Sequence, residues 1–368
     1  VHELIALALP GGPAFVEALR RAWDDGDAIL PVDRRLPDAA VRRLLDSLGP
    51  SWLVDPSGRH RLDRRTARPV EPGDALVMAT SGTTGEPKGV VHTHDGIAAS
   101  AAATSAHLGI DAARHHWLAC LPLAHIGGLS VVMRALWAGT ALTVTDGFDP
   151  GTALGSGATH VSLVPTALHR LGPQATRFER IVLGGSAPPE QLPANVSCTY
   201  GLTETGSGVV YDGWALPGVE VREVDGELQL RGPMLLRAYR NGHDPRTPDG
   251  WLPTGDGGRV DPASGFVEVF GRRDDLIITG AQKVWPDPVE AILVALDGVA
   301  EVAVVGRPDP EWGQVVTAVI VPDGPVPPLE ALRDAVKAQL APYCAPRAVE
   351  IVDALPRTAL GKLRRSAV

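Results

Sequence analysis

Met78-Ala-Thr-Ser-Gly-Thr-Thr-Gly-Glu-Pro-Lys-Gly-Val90 decides how the rest of the chain is read. The run Asp74–Ala79 leading into it is apolar and reads as a buried strand, and Thr80–Gly89 then breaks that pattern. Gly82 and Gly85 let the backbone bend so that successive N–H groups converge on an anion. Ser81, Thr83 and Thr84 add hydroxyl donors beside Thr80, and Lys88 adds a compact positive charge past Pro87. Such a loop suits a triphosphate tail. It is not a Walker A loop, because no Gly-Lys-Ser/Thr occurs at the required spacing. A Thr/Gly-rich surface turn would share the composition, but not this order ending in Pro-Lys-Gly.

Outward from the loop, short apolar strands alternate with helices, the pattern of an α/β fold. Strands are expected at 27–32, 74–79, 90–92, 116–121, 140–145, 159–164 and 180–183, with helices at 37–48, 93–107, 126–138 and from Pro165. Thr93 or Asp95 would cap the second of these helices. After about Trp214 the texture changes. Val219–Val224 and Glu227–Arg231 alternate apolar and polar residues across Asp225-Gly226, a strong hairpin signal, and glycine turns separate further short strands. Past Gly271 a third texture begins, with a helix at 288–296, strands at 301–305 and 315–321, a helix at 329–340 and a strand at 349–352. The expected organisation is a large N-terminal domain, 1–272, with a β-rich subdomain at about 214–272, and a small α+β C-terminal domain, 273–368. Two or three domains also suit 368 residues, at roughly 100–200 residues each.

Composition narrows the class. The 34 Lys+Arg against 43 Asp+Glu give a net charge of −9, so no basic face offers itself to nucleic acid. A single nucleotide needs only a local site. Cys120, Cys198 and Cys344 lie far apart and outside any Cys-x-x-Cys, which argues against a disulfide framework and for a reducing, cytoplasmic setting. No apolar run approaches the roughly 18–20 residues of a membrane span, and Val1-His2-Glu3 lacks the layout of a signal peptide. His92-x-His94 and His115-His116 find no third ligand at fitting spacing for zinc.

The loop and five further ordered segments make the chain resemble the AMP-forming adenylating enzymes, which include acyl- and aryl-CoA synthetases, peptide-synthetase adenylation domains and luciferases. Thr80–Gly89 resembles their phosphate loop, Leu121-Pro-Leu-Ala-His-Ile-Gly-Gly128 their acyl-pocket segment, and Tyr200-Gly-Leu-Thr-Glu204 the segment around adenine, α-phosphate and Mg²⁺. Thr254-Gly-Asp256 is similar to the ribose segment, Gly271-Arg-Arg-Asp-Asp275 to the interdomain hinge, and Pro356-Arg-Thr-Ala-Leu-Gly-Lys362 to the segment of the catalytic lysine. The likeness runs from about residue 26 to the C-terminus. It implies layered β-sheets and helices in the large domain, a mobile small domain, and ATP, CoA and Mg²⁺ as co-substrates and cofactor.

The resemblance also implies roles. Lys362 would neutralise charge between carboxylate and α-phosphate, Thr203 would reach the α-phosphate and Glu204 would hold Mg²⁺. Thr80, Ser81, Gly82, Thr83, Thr84, Gly85 and Lys88 would cradle phosphates. Gly184, Gly185 and Ser186 would let adenine lie on bare backbone against Tyr200, and Asp256, helped by Arg272, would take the ribose hydroxyls. His125, Gly127, Gly128 and Ser130 would line the acyl pocket, Arg134 two helical turns on is a further candidate cation, and Asp274 would be the hinge. Trp312-Gly-Gln314 resembles a loop near the pantetheine channel.

Only 79 residues precede the loop, so the outer N-terminal layer of most members is expected to be absent. Gly280-Ala-Gln-Lys-Val-Trp-Pro286 also departs from the pattern in detail. Compact members resemble o-succinylbenzoate–CoA ligases of menaquinone biosynthesis, and Leu-Pro-Leu-x-His-Ile-x-Gly-Leu-Ser at 121–130 fits them well. That implies a small carboxylic acid as partner and leaves a homodimer open. The alternatives are an aryl-acid or fatty-acid adenylating ligase, including one that loads a carrier protein, and an inactive adenylate-binding protein. Lys362, Glu204, Asp256 and the complete loop speak against the last.

Overall fold

The computed structural model describes residues 2–63, 66–81, 87–185, 191–357 and 363–368, apart from the side chains of Ser81 and Ser366. The chain divides into two compact units, one of residues 1–222, 229–253 and 261–267, the other of 223–228, 254–260 and 268–368. No helix among the described residues is long and apolar enough to cross a membrane.

Two seven-stranded sheets dominate the first unit. One takes its strands in the order 238–239, 87–93, 74–81, 28–31, 4–7, 52–55, 58–61. Leu4–Leu7 and Ala28–Pro31 are buried at every position, as parallel strands covered on both faces must be. Helix Pro13–Asp24 adds Phe15, Leu19 and Ala22, spaced four and three residues apart on one face, to the buried set. The strand at 4–7 and this helix went unread in the sequence, although Leu-Ile-Ala-Leu is an apolar run of strand length.

The other sheet runs 214–215, 210–211, 196–200, 180–183, 160–163, 116–119, 141–144. Its last five strands are all parallel, and Leu118, Val161, Leu163, Ile181 and Leu183 fill its core. Helix His94–Leu108 starts where the sequence places it, with the Gly96 N–H donating to Thr93 Oγ1 at 3.1 Å.

The phosphate-loop segment is shorter than its composition implies. Asp74–Ser81 and Pro87–Thr93 pair antiparallel as far as Thr80 with Lys88 and Ser81 with Pro87. Thr80 and Lys88 therefore belong to strands, not to a ten-residue loop, because the ladder satisfies their backbone polar groups.

In the second unit, Val299–Asp309 and Gly313–Pro322 form a long hairpin, with Ala348–Ile351 parallel to the latter. Helices Pro286–Val294 and Leu329–Lys337 supply Val289, Leu293, Leu332 and Val336 to a core completed by Val304, Ala318 and Ile320. Strands 220–224, 227–231, 252–260 and 267–272 make a four-stranded sheet whose residues are shared out between the two units. Asp225 and Gly226 have φ of 51° and 76°, the positive pair that a two-residue hairpin turn demands.

A second turn of that kind joins Ile277–Thr279 to Gln282–Val284, but with Gly280 at φ 55° and Ala281 at φ 63°. The alanine methyl is strained in this region, where glycine is not. Ala281→Gly should therefore stabilise the protein by about 1 kcal/mol, after allowing for glycine's freer unfolded chain. Urea unfolding measures this, and a loss of stability would show that the turn relaxes around the methyl.

Candidate active site

In a parallel sheet the strands' carboxyl ends leave a crevice where ligands bind. Here those ends deliver Gly184 and Gly185 after strand 180–183, Tyr200 at the end of 196–200, and Leu121 to His125 after 116–119. A Cβ on Gly184 would lie 2.7 Å from Thr199 Oγ1, so the backbone runs bare against its neighbour strand. Gly185 has φ 92°, which suits glycine. Gly82, Thr83, Thr84, Gly85, Ser186 and Lys362 lie outside the described residues, as does the side chain of Ser81.

Thr203–Thr205 forms a single 3₁₀ turn after Tyr200. Thr205 is fully buried; its Oγ1 accepts the Leu202 N–H at 2.9 Å and donates toward the carbonyls of Leu202 and Ser207. The Thr203 carbonyl faces His92 Nε2 at 2.7 Å. Burial drives the His92 pKa down to about 4, outweighing that bond, so the ring is neutral near pH 7 and Nε2 is the donor.

Glu204 is held from the next segment along. The Tyr239 hydroxyl donates to Glu204 Oε1 at 2.9 Å, and the Leu236 N–H donates to the Glu204 carbonyl at 2.7 Å. Burial first, then the negative charge of Glu204, raises the Tyr239 pKa, so its proton stays on. Lys88 Nζ lies 5.5 Å from the centre of the Tyr239 ring. Among the described residues Glu204 Oε2 accepts no hydrogen bond, which leaves one hard oxygen available to a cation. A magnesium ion that takes one carboxylate and otherwise phosphates and water fits this donor set. Sequence reading missed Tyr239: Ala-Tyr-Arg carries no motif spacing, and only the pairing of Tyr239 with Val90 brings it here.

The acyl-pocket segment holds both expected and unexpected partners. His125 precedes helix Ile126–Ala138, its Nε2 3.7 Å from Asp33 Oδ2 and 3.4 Å from Arg35 Nη2. Burial raises the Asp33 pKa, but hydrogen bonds from Arg35 prevail and hold it below the ordinary value. Gly127 is open, whereas a Cβ on Gly128 would lie 2.5 Å from the carbonyls of Leu121 and Pro122. The Gly128 N–H donates to the His125 carbonyl at 3.0 Å, so it is engaged within the chain. Ser130 and Arg134 are both buried, with Arg134 Nη2 donating to Ser130 Oγ at 3.2 Å and Ser207 Oγ at 2.7 Å. Burial pulls the pKa of the Arg134 guanidinium down against the opposing effect of the Tyr211 hydroxyl, and the group lies 5.0 Å from the centre of the Trp117 ring. Beside it lies a cavity of about 10 Å³ between Ile97, Ser100, Ala101, Met133 and Gly206.

In the second unit Asp256 is buried and accepts Arg272 Nη1 at 2.9 Å, while the same nitrogen reaches the Thr254 carbonyl at 3.0 Å. Thr254 Oγ1 accepts the Asp256 N–H at 3.0 Å and the Gly255 N–H donates to Glu227 Oε1 at 2.8 Å, so the Thr-Gly-Asp segment is tied down at each residue. Asp274 lies in the 3₁₀ turn Arg273–Asp275. Trp312 is covered by the Arg347 guanidinium at 4.0 Å, and Gln314 Oε1 accepts the Ile278 N–H at 2.8 Å.

The AMP-binding enzyme family matches residues 55–240, and the C-terminal domain of AMP-binding enzymes matches 288–362. The chain belongs to this family. It is 37% identical over 359 residues to a Mycobacterium tuberculosis protein described as a probable 2-succinylbenzoate–CoA ligase, covering 89% of this chain and 93% of that protein. A Listeria monocytogenes 2-succinylbenzoate–CoA ligase is 36% identical over 324 residues, 79% of this chain and 69% of the relative. Among solved structures, Bacillus subtilis o-succinylbenzoate CoA synthetase in complex with its acyl-adenylate intermediate superposes with a TM-score of 0.85 at 29% identity, covering 99% of this chain and 87% of that one. These likenesses match the α/β reading, with layered sheets and a C-terminal domain.

His92 gives the site a pH signature. It titrates near 6.5 when unfolded and near 4 when folded, so between those values the unfolded chain binds more protons and stability falls as pH falls. From pH 7 to pH 5 this costs about 2 kcal/mol. His92→Gln keeps an N–H for the Thr203 carbonyl and does not titrate, so it should remove about 2 kcal/mol of that loss from urea unfolding curves. An unchanged pH dependence would mean that His92 is not held neutral.

Proposed function

We propose that this chain joins o-succinylbenzoate to CoA in two steps, attack of the succinyl carboxylate on the α-phosphorus of ATP and then displacement of AMP by the CoA thiol. It is an AMP-forming acid–CoA ligase that uses ATP and Mg²⁺, and its product serves menaquinone biosynthesis. We place it in the cytoplasm, where ATP and CoA are at hand. Charge builds on the phosphoryl oxygens during adenylation, so positioning and electrostatics carry the rate. Bound Mg²⁺ would spread that charge, and Glu204 Oε2 is the oxygen this chain offers it. Lys88, Thr80, Thr203 and the hydroxyls and N–H groups between Ser81 and Gly85 serve the phosphates. Gly184, Gly185, Ser186 and Tyr200 serve adenine, Asp256 with Arg272 serves ribose, and Lys362 meets the carboxylate and α-phosphate. Asp274 is the proposed hinge between the two steps.

The observation that supports this acid over a fatty acid is the buried Arg134. A buried cation with no carboxylate among its described partners is costly, and such a group suits a site that handles an anion. The cavity beside it admits one water and no carboxylate. The guanidinium therefore acts through Ser130 and Ser207: Arg134 donates to both oxygens, which leaves each hydroxyl hydrogen free to point at the substrate's ring carboxylate.

Arg134→Met should lower kcat/KM for o-succinylbenzoate about 10–100-fold, the cost of losing hydrogen bonds from a charged donor. A 4-aryl-4-oxobutanoate without the ring carboxylate should lose little. Pyrophosphate exchange over aliphatic, benzoic and keto-aryl acids, followed by CoA, measures both. Equal losses for the two keto acids would sink the role of Arg134, and faster exchange with fatty or simple benzoic acids would overturn the substrate.

Lys362→Ala should cut acyl-adenylate formation about 10²–10³-fold, as expected for one preorganised charge. Thioester formation from presynthesised acyl-adenylate should be spared. Equal loss in both half-reactions would remove the lysine from its adenylation role.

A further inference from the structure

Three contacts pin the backbone around Glu204. The His92 ring holds the Thr203 carbonyl, the Leu236 N–H donates to the Glu204 carbonyl at 2.7 Å, and the buried Thr205 hydroxyl bonds to Leu202 and Ser207. The carboxylate is another matter, because the last torsion of a glutamate side chain is broad and lets the two oxygens swing. One hydrogen bond settles it, from the Tyr239 hydroxyl to Oε1 at 2.9 Å. Tyr239 is itself firmly mounted. Its strand pairs with Val90 and Val91, and arginines on either side anchor that strand. Arg237 reaches Asp74 through Nε at 2.7 Å, and Arg240 donates to the carbonyls of Leu48, Pro69 and Arg68. His243 stacks on the Tyr239 ring, with centroids 6.0 Å apart and planes at 15°.

We infer that Tyr239 is a positioning residue for Glu204: by occupying Oε1 it fixes the direction in which Oε2 is presented to Mg²⁺. This rests on the Mg²⁺ role proposed above for Glu204. An ionised carboxylate can only accept hydrogen bonds, so the hydroxyl hydrogen is committed to Oε1. The donor is neutral, and the carboxylate keeps its full negative charge for a cation. A lysine or arginine in the same place would cancel much of that charge. Magnesium demands near-ideal octahedral geometry with bonds of about 2.0–2.1 Å, so an oxygen that swings is a poor ligand for it. The hydroxyl is not needed to hold the turn at 203–205, since the three backbone contacts do that without it. The same ring lies 5.5 Å from Lys88 Nζ, so one side chain borders both the carboxylate and the lysine proposed above for the phosphates.

The test is Tyr239→Phe, which removes one oxygen and leaves the ring in place, alone and in a Glu204→Ala background. Adenylation is followed by pyrophosphate exchange as Mg²⁺ is varied at fixed ATP. Metal binding is read without turnover, by electron paramagnetic resonance of Mn²⁺ bound with α,β-methylene-ATP, which cannot release pyrophosphate. Tyr239→Phe should raise the Mg²⁺ needed for half-maximal exchange about 10–100-fold and weaken binding of the Mn²⁺–nucleotide complex by a similar factor. That is the scale of losing a hydrogen bond that orients a metal ligand. Binding of the nucleotide without metal should hold, and thioester formation from presynthesised acyl-adenylate should be spared. In the Glu204→Ala background Tyr239→Phe should cost nothing further, because a residue acting through the carboxylate has nothing left to position. Additive losses, or equal weakening with and without metal, would overturn the inference and leave Tyr239 a packing residue. If Glu204→Ala alone leaves both metal readouts unchanged, it is the reading of Glu204 that fails.

Discussion

Antiparallel pairing of Asp74–Ser81 with Pro87–Thr93 is the constraint on which the first unit's site depends. The register puts Ser81 opposite Pro87, so whatever the glycines between them do, their ends are fixed. It aims His92 at the Thr203 carbonyl and leaves Val90 and Val91 to pair with Tyr239 and Ala238. Through that edge strand Tyr239 arrives between Lys88 and Glu204. Arg237 locks the other end, its Nε 2.7 Å from Asp74 Oδ1 and its Nη2 3.0 Å from Asp74 Oδ2. A slip of one residue would turn His92 outward and withdraw Tyr239 together, since side chains alternate faces along a strand.

Buried and half-buried arginines appear in three different states of compensation, and the difference bears on what each can do. Arg240 is satisfied by the chain alone, donating to the carbonyls of Leu48, Arg68 and Pro69, and burial brings its pKa down to about 10. It is a staple. Arg365 is matched by carboxylates from three positions. Arg134 has two serine oxygens on one nitrogen, with the Tyr211 hydroxyl and the Trp117 ring beside it and no carboxylate among its described partners. Burying a cation without a carboxylate beside it is costly, so of the three Arg134 has the charge least compensated within the chain.

Much of this was legible in the chain and some was not. The parallel strands, the cap at Thr93 and the Asp225-Gly226 turn announce themselves because each depends on residues adjacent in sequence. The contact of Asp256 with Arg272 follows from two motifs that each carry their own spacing. Tyr239, Asp33 and Arg365 were invisible as partners for the opposite reason. Tyr239 meets Glu204 across 35 residues, and Arg365 meets Glu290 across 75, with nothing periodic between them. His92 was weighed only as half of a chelating pair, because burial and a carbonyl partner cannot be read from His-x-His. The extent of the phosphate loop was overread: threonine, serine and lysine mark polarity, not the point at which a ladder stops.

A common device emerges from the two units taken separately. In each, backbone pairing joins the described residues on either side of a candidate segment, Ser81 with Pro87 in one and Arg357 with Leu363 in the other. In each, a side chain from a distant part of the same unit then fixes the nearest polar neighbour, Tyr239 on Glu204 and Arg365 on Glu290. Phosphoryl transfer gives the protein little covalent work and asks instead for charges placed within fractions of an ångström. Lysine is a poor residue for that on its own, since its four-carbon stem samples many rotamers. Pairing the backbone at the lysine, as Thr80 does with Lys88, fixes the Cα and leaves the side chain's own torsions to adjust as the reacting charge develops.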